Sequence, residues 1–481
     1  MPPRARVDEM VTSVVRRWPG EVLPLLTRYA RIPNLSPAFD PAWETTGHME
    51  HAVELLAEWA TARSIPGMTV EVVRLPGCTP TLLVDVPSTH PGATSSVLIY
   101  GHYDKQPPFD GWTEGRGPWI PLVEDDRLYA RGVADDGYAL PSALLAIEAV
   151  EMAGGTHGRC TILVEGSEES GSPHLPEVLD HLSGRIGAPD LVVALDSGCP
   201  TYDRLWITTS LRGAIVGTLT VSVLEHGVHS GSAGAVVPSS FRLARLLLDR
   251  IEDVSTGALL LPELRTDPPA SAPAQAAALA VAVTGLGEGN TSFPIVSGLV
   301  LEGAGPAEQA LRIAWSGSVA VVGADGLPPT ETAGSVLRPF TRLKLAIRIP
   351  PNCDTVAAEA AIERALTTDP PNGATVTWSL GQAAGGWVAP ELTPWIQTAL
   401  DEASDRCFGN PSAKLGEGGT IPFLGWLAAR FPDAHLLATG VLGPGSNAHG
   451  PDESLHLPTA ARVTASMAIL IDASAARPAS A

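Results

Sequence analysis

The sequence predicts an α/β protein, a mostly parallel sheet wrapped in helices, interrupted by an inserted α+β domain of ferredoxin-like order. Three observations lead there. Residues 96–100, 160–164, 191–195 and 435–439 are short and nearly all apolar, as suits interior strands covered on both faces. Residues 140–152 have a helical pattern and sit between two of these runs, a β-α-β rhythm. Near Leu211 the texture changes to strict alternation, best seen in R-L-K-L-A-I-R-I at 342–349, the mark of a half-exposed strand.

The elements follow in order. Residues 7–17 and 21–30 have helical apolar spacing and are divided by Pro19-Gly20, so two helices are expected. A third, 49–63, lines up Ala52, Leu55, Leu56 and Trp59. The strands of the main sheet come next. In the insert, 214–224 reads as a strand, 241–251 as an amphipathic helix, 342–349 as a strand, 356–366 as a helix and 374–380 as a strand. The expected division is one domain from 1–210 and 382–481, and a second from 211–381, after which the chain rejoins the main sheet. The Ala-, Pro- and Ser-rich tail after Ala475 is expected to fray.

Composition narrows the function. A chain of 481 residues exceeds one ordinary core. A net charge of -21 repels nucleic acid and anionic membranes, so neither is an expected partner. The 48 Gly and 44 Pro predict many tight turns. The five cysteines are scattered, with no C-x-x-C, and read as free thiols of a reducing compartment. The first residues carry no apolar signal core. The Ala-rich run 274–283 is far shorter than the ~20 residues a membrane span needs. A cytoplasmic location is expected.

The acidic and histidine residues fall where the apolar strands end. The first strand runs into Gly101-His102-Tyr103-Asp104 and the next into Glu165-Gly166-Ser167-Glu168-Glu169. Another meets Asp196, and the last leads to Asn447 and His449. Asp135 and Asp136 lie just before the helix at 140. The carboxyl ends of parallel strands share one rim, where ligands bind. Taken singly, these residues are ordinary: Glu168-Glu169 is a solvated loop and Asp196 a helix cap. Together they make a His/carboxylate set suited to zinc, with manganese or cobalt as alternatives. The set exceeds what one tetrahedral ion needs, whereas two ions about 3.5–4 Å apart would use it. Asp104 is placed to orient His102, and of the pair Glu168-Glu169 one can bind metal while the other takes a proton. His174 and His226 lack such company and read as structural.

The series G-H-Y-D, R-G-V-A-D-D-G, E-G-S-E-E-S-G-S, L-D-S, G-V-H-S-G and N-A-H-G resembles the di-zinc metallopeptidase family of carnosinase-like dipeptidases, glutamate carboxypeptidases, aminoacylases and succinyl-diaminopimelate desuccinylase. Asp at 196 and the E-G-S-E-E-S-G-S string are most similar to the dipeptidase branch. The resemblance implies that His102 and Asp196 hold one ion, Glu169 and His449 the other, and that Asp135 bridges them. Glu168 would be the general base and Asp104 the support of His102. The insert would be a lid that forms a homodimer, with His229 reaching the partner's site to stabilise the oxyanion. Arg348, Gly419 and Thr420 would bind the substrate's carboxylate end. Gly416-Glu417-Gly418-Gly419-Thr420 lacks the lysine of a phosphate loop, which excludes nucleotide binding there.

Two departures bear on the pocket. The family often reads Asp-Asp-Lys-Gly where this chain has Asp135-Asp136-Gly137-Tyr138, and Gly334-Ser335-Val336 replaces a stretch that usually offers an Asn. The expected activity is cleavage of the amide bond in dipeptides or short peptides with a free C-terminal carboxylate, by a hydroxide held between the ions. An N-acyl amino acid amidohydrolase is the alternative. A catalytically silent peptide-binding scaffold is the second, and would require a broken metal set.

Overall fold

The computed structural model describes residues 2–89, 95–284 and 295–475; the tail expected to fray lies outside them. The main sheet runs Thr69–Val73, Thr81–Val86, Arg159–Glu165, Ser96–His102, Leu191–Ala194, His435–Ala438, Trp206–Leu211, Trp387–Val388, with Ala413–Glu417 also paired to Trp206–Leu211. Its centre, from Arg159–Glu165 to His435–Ala438, is parallel, and antiparallel strands finish both sides.

Both faces of that centre are covered, which is why its strands are apolar throughout. Val97, Ile99, Ile162 and Val193 face a core built with the helices Arg4–Tyr29, His48–Thr61, Ala139–Met152, Pro394–Phe408 and Leu457–Ala475. Leu98, Tyr100, Leu163 and Val192 face the opposite core, closed by Leu175–His181 and Pro422–Arg430. Three layers result, with the strand ends on one rim.

The two expected N-terminal helices are one. Arg4–Tyr29 continues through Pro19 and Pro24. Both prolines lie on its exposed face, where the carbonyls they leave unpaired meet water. The buried stripe Met10, Val14, Trp18, Val22, Leu25 and Tyr29 runs across them unbroken. Tertiary packing of that stripe outweighs the local breaker.

The inserted domain is built on a four-stranded antiparallel sheet, ordered Ser318–Asp325, Phe340–Ile349, Gly213–Ser222, Thr375–Ala384. In chain order this is the ferredoxin-like arrangement. Its buried residues alternate along Phe340–Ile349 and pack with Leu243, Leu247, Ile362 and Leu366 from Ser240–Leu248 and Thr355–Thr367. Asp354 caps the second helix, accepting from the Val356 and Ala357 N–H groups at 3.0 and 3.1 Å. The last of these strands extends past 381 to Ala384. The Ala-rich run forms part of Ala272–Thr284, which packs on Pro306–Trp315 and Ala413–Glu417. Among the described residues no helix is long and apolar enough to cross a membrane.

Candidate metal centre

The rim of the main sheet gathers the acidic and histidine side chains. His102 is the last residue of Ser96–His102, and the turn Glu168–Ser170 follows the neighbouring strand Arg159–Glu165. Asp196 follows Leu191–Ala194, while the chain beyond His435–Ala438 carries His449 at a backbone φ of 64°. A left-handed φ on a non-glycine residue is strained and is held by its surroundings. Asp135 arrives from the loop before Ala139–Met152, brought so close to the first strand that a Cβ on Gly101 would lie 2.4 Å from Ala139 and 2.9 Å from Asp136.

Asp135 stands between the two histidines. Its Oδ1 is 3.0 Å from Nε2 of His102 and its Oδ2 is 3.0 Å from Nε2 of His449. Glu169 is 3.3 Å from His449, and Asp196 is 3.7 Å from His102. Potential donor atoms of His102, Asp135 and Glu169 all lie within 4.8 Å of one another, as do those of His102, Glu168 and Asp196. Nitrogen and carboxylate donors in two overlapping groups fit a pair of borderline divalent ions.

Asp104 organises two of these loops. Its Oδ1 lies 3.3 Å from Nδ1 of His102, which leaves Nε2 facing the cluster. Its carboxylate also accepts from the backbone N–H groups of Glu168 and Glu169 at 3.1 and 3.0 Å. That fixes the turn on which the adjacent glutamates diverge, Glu169 toward His449 and Glu168 toward His102 and Asp196.

The electrostatics are those of a cation site. Burial, then the neighbouring Asp196 carboxylate, raises Glu168 well above the usual carboxylate range. Burial and Asp135 do the same to Asp196 and raise Glu169. Burial pushes Asp135 up, but the two histidines outweigh it and hold this carboxyl below its ordinary value. Burial pulls His449 down, and Asp135 and Glu169 more than offset this, lifting it to about 11. Packed carboxylates that resist ionisation beside imidazoles that resist deprotonation call for added positive charge.

The remaining expected site residues lie elsewhere. Arg348 donates to the Thr420 hydroxyl at 2.7 Å, which donates in turn to the Arg212 carbonyl at 2.6 Å. The two guanidiniums are near neighbours; burial and then Arg348 lower Arg212 to about 10. A Cβ on Gly419 would meet nothing within 4 Å. His229 is exposed, paired with Val336 in a short ribbon, and its Nδ1 accepts from the Gly231 N–H at 3.1 Å. Among the described residues no hydrogen bond or ion pair joins His229 to the cluster. His174 accepts from the Thr79 N–H at 3.1 Å, a structural contact.

Two supporting carboxylates went unread in the sequence. Glu417 accepts from the Ser197 hydroxyl at 2.7 Å and the Gly198 N–H at 3.3 Å, tying down the loop after Asp196. Glu453 accepts from the N–H groups of Gly132 and Ala134 at 2.9 and 3.3 Å, beside Asp135. Glu417 lies inside the Gly-rich string 416–420 and Glu453 four residues past His449, so proximity in sequence was their only signal.

Residues 98–473 match the model of Peptidase family M20/M25/M40. The chain belongs to this peptidase family. Among curated relatives, the cysteinylglycine-S-conjugate dipeptidase of Corynebacterium striatum is 25% identical over 446 residues, 89% of this chain and 93% of that protein. The structure of human carnosine dipeptidase 1 superposes with a TM-score of 0.75 at 19% identity, covering 98% of this chain and 100% of that one. The dipeptidase Dug1p of Saccharomyces cerevisiae gives a TM-score of 0.75 at 20% identity, covering 98% and 99%. These likenesses span both sheets of this M20 peptidase, so the α/β domain with its inserted α+β domain is the fold of the family. The enzyme thus carries its candidate ligands on a peptidase framework.

Proposed function

We propose that the protein is a dimetal dipeptidase that cleaves short peptides with a free C-terminal carboxylate. One observation carries the reading: a single carboxylate, Asp135, spans two histidines from different strand ends, with 3.0 Å to each. His102 and Asp196 would hold one divalent ion, Glu169 and His449 the other, with Asp135 between them. Zinc is the first candidate for a donor set of this kind, ahead of manganese and cobalt. When bound, such ions polarise the scissile carbonyl and make hydroxide available near neutral pH.

The chain's own groups do the rest. Glu168, its carboxyl raised by burial, is suited to take a proton from water and return it to the leaving amine. Asp104 keeps the His102 ring turned. Arg348 and Thr420, already hydrogen-bonded across the two sheets' domains, form a cationic corner fit for a peptide carboxylate.

We assign residues 1–211 and 387–481 to the catalytic domain and the inserted residues 213–384, which lie slightly off the 211–381 read from the sequence, to a lid that forms a homodimer. Exposed Val321 and Val322 on the edge strand Ser318–Asp325 support a partner there. His229, exposed on the lid, would then serve the partner's site as an oxyanion donor. That the C. striatum relative is a dipeptidase by name supports reading this chain as a peptidase ahead of a deacylase. Turnover by metal-reconstituted protein on a dipeptide panel and on N-acetyl and N-succinyl amino acids tests this. Dipeptides should be preferred, and blocking their C-terminus as an amide should raise KM. Preference for the acyl panel would move the protein to the deacylases.

A further inference from the structure

Behind the candidate centre lies a buried group of ionic side chains that metal binding and proton transfer leave unused. Lys105, Arg131 and Glu453 are each no more than 1% exposed. Each belongs to a segment that carries a candidate ligand or its support: Lys105 follows Asp104, Arg131 precedes Asp135 and Glu453 follows His449.

Glu453 is the hub. Its Oε2 accepts from Nη1 of Arg131 at 2.7 Å, while its Oε1 accepts from the Gly132 and Ala134 N–H groups. Its own carbonyl accepts from the Ala130 N–H at 3.1 Å. The second arm of Arg131, Nη2, donates to the Gly450 carbonyl at 2.7 Å, one residue past His449. Gly132 adopts φ +78°, and a Cβ there would lie 2.6 Å from the Lys105 chain, so the loop rests directly on that lysine. Lys105 in turn donates to the carbonyls of Tyr29 and Ile32 at 3.0 and 2.8 Å.

We propose that Glu453 is a positioning residue that acts through Arg131 and the backbone of residues 132–134, and that it sets the spacing between Asp135 and His449 needed to hold the second ion. This inference rests on the ligand assignment above. The first ion is less exposed to the brace, because His102 ends a core strand and is oriented by Asp104. Loss of the brace therefore separates the two sites in affinity instead of abolishing both. Groups that orient metal ligands typically change affinity by roughly 10–100-fold when altered.

The test uses the full chain, stripped with chelator and titrated with zinc against a chromophoric competitor, on the parent and on Glu453→Gln and Arg131→Lys. Gln removes the ionic partner of Arg131; Lys keeps the charge but cannot reach both Glu453 and Gly450 as a planar fork. The parent should take two ions per chain. Each variant should keep one with near-parental affinity and bind the other roughly 10–100-fold more weakly, with kcat restored by excess zinc and peptide KM unchanged. Should Glu453→Gln fail to fold, Arg131→Lys carries the measurement. A folded variant that binds both ions as the parent does overturns the proposal while leaving the ligand assignment intact. A parent that takes up no ion overturns the assignment, and this inference with it.

Discussion

Glu168 and Glu169 are consecutive yet face different partners, because Asp104 accepts from both of their backbone N–H groups and sets the turn between them. If Glu168 moves protons without being needed for metal, Glu168→Gln should retain both ions and lose about 10²–10⁴-fold in kcat. Elemental analysis alongside steady-state kinetics checks this; full activity would remove Glu168 from the mechanism. The histidines give a second prediction. In the metal-free protein His449 is held protonated up to about 11, and His102 is raised well above its usual value: burial opposes this, and Asp104 and Asp135 outweigh it. Metal must displace these protons, so affinity should fall with acid by about tenfold per pH unit for each proton released. Titration calorimetry in buffers of different ionisation enthalpy would count them, and a pH-independent affinity would contradict this protonation state. His102, Glu168, Glu169 and Asp196 were legible in the sequence because they sit at or just past the ends of apolar strands, whereas Asp135 precedes a helix and His449 lies eleven residues beyond its strand. Glu417 and Glu453 were not legible, since their role is to accept backbone N–H groups from segments distant in sequence.

At the scale of elements, strands were easier to read than breaks. Residues 96–100 and 160–164 are apolar on both faces because a helical layer covers each, and alternation at 342–349 reflects a sheet covered on one face. Pro19 does not break the helix as its local propensity predicts, because the stripe from Val7 to Tyr29 buries more than the prolines disturb. Trp18 anchors that stripe, 1% exposed and donating from Nε1 to the Thr464 hydroxyl at 3.2 Å. Trp18→Ala should cost about 3–5 kcal/mol in chemical denaturation. A loss below 1 kcal/mol would mean that the N-terminal helix is held from elsewhere.

For the whole molecule, the two sheets are joined where the chain passes from Leu211 to Gly213 and returns from Ala384 to Trp387. These passages are tightly packed: a Cβ on Gly213 would lie 2.7 Å from Ile349 and 2.9 Å from the Ala384 carbonyl. Periodicity showed three of the inserted sheet's four strands; the edge strand Ser318–Asp325, exposed along most of its length, lacks the alternation that marks the others, and the closeness of the crossing depends on what glycine leaves out. The proposed dimer is tested at this scale. Replacing Val321 and Val322 with Glu should yield monomers by light scattering, and if His229 acts across the interface, kcat should fall as for His229→Ala. Full activity in a monomer would confine catalysis to one chain.

Two ions sharing Asp135 are the centre of the proposed mechanism. Anomalous diffraction at the zinc edge, from crystals grown after zinc reconstitution, tests this most directly. Two peaks about 3.5–4 Å apart are expected, one beside His102 and Asp196 and the other beside Glu169 and His449. A single peak, or zinc bound away from Asp135, would contradict it.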